Sequence, residues 1–254
     1  MDRPLAGRVG IVTGASTGIG AATARALAAA GMTVVLGARR AEQLAAVRDD
    51  IVAAGGRADA VPTDLCRPET IDALVDGAVA RHGRLDALVN NAAVGYVRAI
   101  ADGRLDEWRT IFDTNVIGTL CACRAALRHM LPAGAGDVVI MGSASAEEAW
   151  PYLGVYAASK AALLTLARSL RAEVATAGIR VMTMEIHNVA GTDFARDFDP
   201  AVLPDAMRRW IELGVFNRQA PMLTPDAVAR AVVFQLTTPQ PASIHDLVIR
   251  SREN

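Results

Sequence analysis

The stretch "VGIVTGASTGIG", Val9 to Gly20, decides the fold. An apolar run leads straight into a turn with glycines at 14, 18 and 20, and an alanine-rich helical pattern follows. A continuous rather than alternating apolar run predicts a strand buried on both faces, hence a parallel sheet covered by helices. Glycines let the backbone turn tightly and approach a ligand closely. The helix beyond them offers free N–H groups and a positive dipole end to a pyrophosphate. The spacing is Gly-xxx-Gly-x-Gly, not the commoner Gly-x-Gly-x-x-Gly of dinucleotide turns. Glycines serving only to pack a strand against a helix are the competing reading, and the place directly after the first strand favours the phosphate reading.

The same alternation continues along the chain. Further strands are predicted at 33–38, 57–64, 85–91, 137–143, 179–186 and 244–250. Helical periodicity covers Ala21–Ala30, Ala41–Ala54 and Pro68–His82, each closed by a glycine (Gly31, Gly55 and Gly83) of the kind that ends helices. Strands alternating with helices, joined by right-handed crossovers, give a doubly wound α/β sheet. No Pro/Gly/Ser linker divides it, so one domain over 1–254 is expected.

Composition narrows the function. A net charge of −1 without a basic tract argues against nucleic acid as a partner. No stretch approaches the about 18 uninterrupted apolar residues of a membrane span, which predicts a soluble, cytoplasmic protein without a membrane partner. Cys66, Cys121 and Cys123 read as small reduced core residues, and no metal site is expected.

Cofactor choice is written at the end of the second strand, where an acidic residue would bind a ribose 2′-hydroxyl. This chain reads "LGARR", with Arg39 and Arg40 and no carboxylate. A guanidinium holds a phosphate through two parallel hydrogen bonds, so NADP(H) is predicted over NAD(H).

The stretch "VYAASKAAL", Val155 to Leu163, holds the only lysine; the other 25 of the 26 basic residues are arginine. Tyr156 and Lys160, at i and i+4, leave one face of a helix. An ammonium beside a phenol favours the phenolate and lowers its pKa from about 10 toward the working range. Its three donors also suit ribose hydroxyls, a geometry that a planar guanidinium lacks. Ser143 ends the fifth strand, where a hydroxyl can steady a developing alkoxide; Ser145 competes as a local cap. Asn115 interrupts a helical pattern, either as a kink with a buried hydrogen bond or as the holder of a water behind Lys160. Trp150 and Tyr152 are candidate walls of a substrate pocket, and 190–222 a candidate lid.

Taken together, "TGASTGIG", Asp64, "NNAA" at 90–93, Asn115, Ser143 and "YAASK" resemble the classical short-chain dehydrogenase/reductase family over essentially the full length. The resemblance implies a single Rossmann-type sheet of about seven strands and a homodimer or homotetramer. It also implies an oxidoreductase interconverting a small-molecule carbonyl compound and an alcohol, with Asn115, Ser143, Tyr156 and Lys160 carrying catalysis. Cofactor contacts are then expected from Gly14, Ser16, Thr17, Gly18, Ile19, Gly20, Arg39, Arg40, Asp64, Leu65, Asn91 and Ala92, and from Tyr156, Lys160, Val189 and Thr192. Substrate contacts are expected from Ser143, Trp150, Tyr152 and His187. The C-terminal "TPQPASIHDLVIRSREN" resembles a branch of NADP-dependent 3-hydroxy acid and serine dehydrogenases that includes a clavulanic aldehyde reductase.

Three positions depart from the family pattern. Ala93 replaces a glycine, Thr17 stands where NADP-preferring members often carry a basic residue, and Ile186-His187 replaces a Pro-Gly pair. The loop is therefore expected to run differently, with the His187 imidazole in the pocket, under the lid, or at the surface hydrogen-bonded within its own loop. A dinucleotide-binding sensor, and isomerisation or elimination on the same fold, stand as alternative uses at this point.

Overall fold

The computed structural model describes residues 3–252. Seven parallel strands form one sheet in the order β3-β2-β1-β4-β5-β6-β7. They are β1 (Val9–Thr13), β2 (Thr33–Ala38), β3 (Arg57–Pro62), β4 (Ala87–Asn90), β5 (Gly136–Met141), β6 (Ile179–Ile186) and β7 (Asp246–Ile249). β1 is buried throughout, as its continuous hydrophobicity requires. The predicted strands are all present; five end one or two residues early, and β4 and β7 also begin two residues late.

Helices cover both faces. α1 (Gly18–Ala29), α2 (Ala41–Ala53) and α8 (Pro225–Thr237) bury Leu27, Leu44 and Val232 on one side. α3 (Pro68–His82), α5 (Gly118–Ala133) and α6 (Gly154–Glu173) bury Leu74, Ala126 and Leu163 on the other. α4 (Leu105–Phe112) leads into α5, and α7 (Leu203–Glu212) belongs to the segment between β6 and α8. α1 begins three residues before the predicted Ala21, at Gly18, whose φ of 55° is a left-handed conformation that glycine adopts without strain. Gly83 closes α3 with φ 75°, a left-handed conformation that glycine adopts without strain.

The order reverses between β1 and β4, so the crevice of the sheet opens at the C-terminal ends of these strands. The segment 190–222 hangs from a small parallel bridge, Val189 to Leu223. It carries an aromatic cluster that closes over the crevice, with Phe194, Phe198, Trp210 and Phe216 packed toward Tyr156. The cysteines correct their expectation: only Cys123 is a core residue, Cys121 is half-buried and Cys66 is exposed. No helix of the described residues is long and apolar enough to cross a membrane, and they contain no metal-binding cluster of His, Cys, Asp or Glu.

Candidate active site

A cleft of about 1020 Å³ runs from the glycine turn across the strand ends to the lid. All the residues assigned to the site by sequence line it, except Asn115 and Tyr152. The turn is shaped by close approach. A Cβ on Gly20 would lie 2.3 Å from Gly14 O, and one on Gly14, at φ +66°, would lie 2.8 Å from Ala92 Cα. Asn91 staples the turn to β4, its Nδ2 donating to Thr13 O at 2.9 Å.

Tyr156 and Lys160 share a face of α6 and are both buried. Lys160 Nζ donates to Met141 O at 2.7 Å and sits 5.8 Å from the Tyr156 ring centre. This overturns the expectation of a phenol drawn into the neutral range. Burial pushes Tyr156 up to about 12, against a downward pull from the Ser143 hydroxyl. Burial also brings Lys160 down to about 8. The ammonium is turned to a carbonyl rather than to the phenol, and burial governs both groups. Ser143 sits just past β5, accepting from Ser145 N at 3.3 Å, so Ser143 rather than Ser145 is the cap.

Asn115 falls in a widened turn, Asp113–Ile117, between α4 and α5. It is fully buried, accepting from Val94 N at 2.8 Å and donating to Val94 O at 2.9 Å and to Ser159 Oγ at 3.0 Å. None of these bonds reaches Lys160; Asn115 fixes the loop beneath the cleft to α6. Tyr152 is displaced from the cavity wall. Its φ of 68° turns the chain so that Trp150 faces the cavity while the Tyr152 ring packs into the aromatic cluster.

His187 lines the cavity, and its N–H extends the ladder to Ile249 O at 3.2 Å, so β6 runs on where a Pro-Gly pair would have bent it. Its Nε2 lies 3.2 Å from Glu185 Oε1, and Nδ1 lies 4.0 Å from Glu148 Oε1. Ala93 lines the cleft half-buried, so its extra methyl is accommodated. Sequence reading missed Phe194, Phe198 and Asp193, because contacts between a lid and a distant strand end leave no local pattern.

The short chain dehydrogenase family profile matches residues 8–202. This chain belongs to the short-chain dehydrogenase family. A crystal structure of a metagenomic short-chain oxidoreductase in complex with NADP is 30% identical, with TM-score 0.82, covering 99% of this chain and 100% of that one. The 3-ketoacyl-(acyl-carrier-protein) reductase of Brucella melitensis, complexed with NADH, is 27% identical with TM-score 0.82, covering 96% of this chain and 97% of that one. Among curated relatives, glycine betaine reductase ATRR of Emericella nidulans is 34% identical over 250 residues. The match takes in 98% of this chain, which spans only 19% of that larger protein.

The donor set of this chain suits a dinucleotide. The first-turn N–H groups of α1 have no side-chain cap, since the Thr17 hydroxyl turns elsewhere. Arg39 is exposed at the rim and makes no ion pair among the described residues, leaving its guanidinium open to a phosphate. Lys160 has one protein acceptor among the described residues, which leaves donors for ribose hydroxyls.

Proposed function

We propose that this dehydrogenase is an NADP(H)-dependent oxidoreductase that interconverts a carbonyl compound and its alcohol. One observation carries the reading. Ser143, Tyr156 and Lys160 meet on the wall of a cleft whose other end is the glycine turn. When bound, the nicotinamide group supplies or accepts the hydride. Tyr156 holds the proton that goes to the carbonyl oxygen, and at about 12 it is fully protonated at neutral pH, as reduction requires. Ser143 donates to the developing alkoxide, Lys160 orients the ribose, and Asn115 holds the loop beneath the cleft to α6. Asp64 and Leu65 take the adenine side, Asn91 and Ala92 the middle of the cleft, and Val189 and Thr192 the nicotinamide side. A homodimer or homotetramer fits the apolar residues left exposed on α5, Leu120 and Leu131.

The substrate end is aromatic. Seven of the eleven aromatic residues belong to the cluster there, Trp150 and Trp210 lying 5.4 Å apart. Both indole N–H groups are taken internally, by Glu148 Oε2 at 3.2 Å and Pro151 O at 2.7 Å, so the rings offer apolar faces rather than donors. A bulky apolar carbonyl compound suits these walls. An aldehyde with a trimethylammonium head is the second reading, favoured by the same ring faces and by the name of the larger fungal relative. The test is NADPH oxidation with aldehydes, ketones and 3-oxo acids, including that cationic aldehyde beside its neutral tert-butyl isostere. Turnover of at least one class above background is expected; no turnover across the panel would favour a dinucleotide sensor.

Two further outcomes are expected. Arg39→Asp should weaken NADPH binding about ten- to a hundredfold and spare NADH, since one charged phosphate contact is lost and a repulsion gained. Equilibrium binding of both cofactors checks this, and unchanged NADPH affinity would take Arg39 out of phosphate reading. The pH profile follows from Lys160. A lysine lowered to about 8 is charged below that pH and neutral above it. The kcat/KM for NADPH in reduction should therefore be flat below pH 8 and fall as pH rises through it, whereas a flat profile to pH 10 would show that the ammonium charge is not needed.

A further inference from the structure

We infer that Asp193 is an internal stand-in for the cofactor's 2′-phosphate, tying the lid to the phosphate site until that phosphate displaces it. The inference rests on the NADP(H) reading above. Asp193 opens the short helical turn Asp193–Asp197 of the lid, beyond the bridge at Val189. Its Oδ2 accepts from Arg40 Nη1 at 2.6 Å and from Thr17 Oγ1 at 3.0 Å. The other arm of the guanidinium, Nη2, donates to Thr17 Oγ1 at 2.6 Å and to Ser16 Oγ at 3.1 Å. Two groups that sequence assigns to the cofactor, Thr17 and Arg40, thus hold one carboxylate that comes from 153 residues beyond Arg40, and a third, Ser16, holds the other arm of the guanidinium. Hydrogen bonds from Arg40 and Thr17 hold the Asp193 carboxyl below the usual carboxylate range, so it is an anion at neutral pH.

A carboxylate and a phosphate are both anionic acceptors, and one guanidinium fork serves one of them well. Sharing it brings two negative charges together, which disfavours both. The pair is replaceable, because Asp193 is 46% exposed and Arg40 31%, and an ion pair so open to water is weak. Arg39 beside it makes no ion pair among the described residues and can receive the arriving phosphate first. Once Arg40 turns to the phosphate, Asp193 loses its ion-pair partner and keeps only the Thr17 hydroxyl. A cofactor without the 2′-phosphate leaves the tie in place, so the same carboxylate discriminates between the two cofactors and reports the choice to the lid.

The experiment uses 2′,5′-ADP and 5′-ADP, which differ by that phosphate and carry no nicotinamide. Binding is measured by calorimetry and lid opening by amide hydrogen exchange over 193–198. In the unmodified protein, 2′,5′-ADP should bind more tightly and speed exchange in this segment, and 5′-ADP should not speed it. Asp193→Asn should exchange fast without ligand and bind 2′,5′-ADP about fivefold more tightly, the scale of a half-exposed ion pair, with 5′-ADP unchanged. Equal or weaker binding of 2′,5′-ADP by the variant would overturn the inference while leaving the cofactor reading intact. Equal binding of the two nucleotides by the unmodified protein would overturn both.

Discussion

Tyr156→Phe is expected to lower kcat for carbonyl reduction by about 10²- to 10⁴-fold, the range of a positioned general acid, while NADPH binding changes little. The reason is geometric. The ring is 8% exposed, packs tilted against Phe194 at 4.8 Å between centroids, and keeps these contacts as phenylalanine. Only the hydroxyl goes, and with it the proton for the alkoxide. Steady-state kinetics and a thermal melt of the same preparation check the two halves of this statement. Substantial residual reduction in a folded variant would move the proton donor elsewhere, with Ser143 the nearest alternative.

Lys160→Arg is expected to lower kcat/KM by about a hundredfold although the charge is kept, because misplacement on the scale of 1 Å costs that much. Lys160 is 3% exposed, and its Nζ reaches Met141 O at 2.7 Å in a space fitted to a compact head. A guanidinium is planar and wider, with its donors fixed in a fork, so it must push against Tyr156 or extend into the cleft. The pH profile gives a second readout. Arginine stays charged throughout, so the fall above pH 8 expected of the natural protein should vanish in the variant. Near-native kcat/KM would show that the position needs a positive charge and nothing more.

How much of this was legible in the sequence follows from distance along the chain. The strands of the sheet and the Tyr156–Lys160 face are local patterns, and β1, α3 and α6 carry them openly. Gly20 is also legible, since its missing Cβ answers to the carbonyl of Gly14 six residues away. The sequence could not show that Asn115 bonds Val94 and Ser159, because an amide's partners are decided by packing of elements 21 and 44 residues apart. The phenol was misjudged for a related reason. Helical spacing places Lys160 beside Tyr156, but only the fold turns the ammonium toward Met141 and buries both groups. Tyr152 was lost to a single backbone angle, φ 68°, that no side-chain pattern announces. Asp193 was invisible because its partners lie 153 and 176 residues away, at the end of β2 and in the turn.

The central claim is that hydride passes directly between a nicotinamide cofactor and a carbonyl carbon at Tyr156. The most direct test uses NADPH deuterated at both C4 positions with the best carbonyl compound of the panel, followed by mass spectrometry and NMR of the product. One deuterium on the carbinol carbon, with one NADP⁺ formed per alcohol, is the predicted result. A product formed without cofactor consumption, or an alcohol free of deuterium, would contradict it and point to isomerisation or elimination on the same fold.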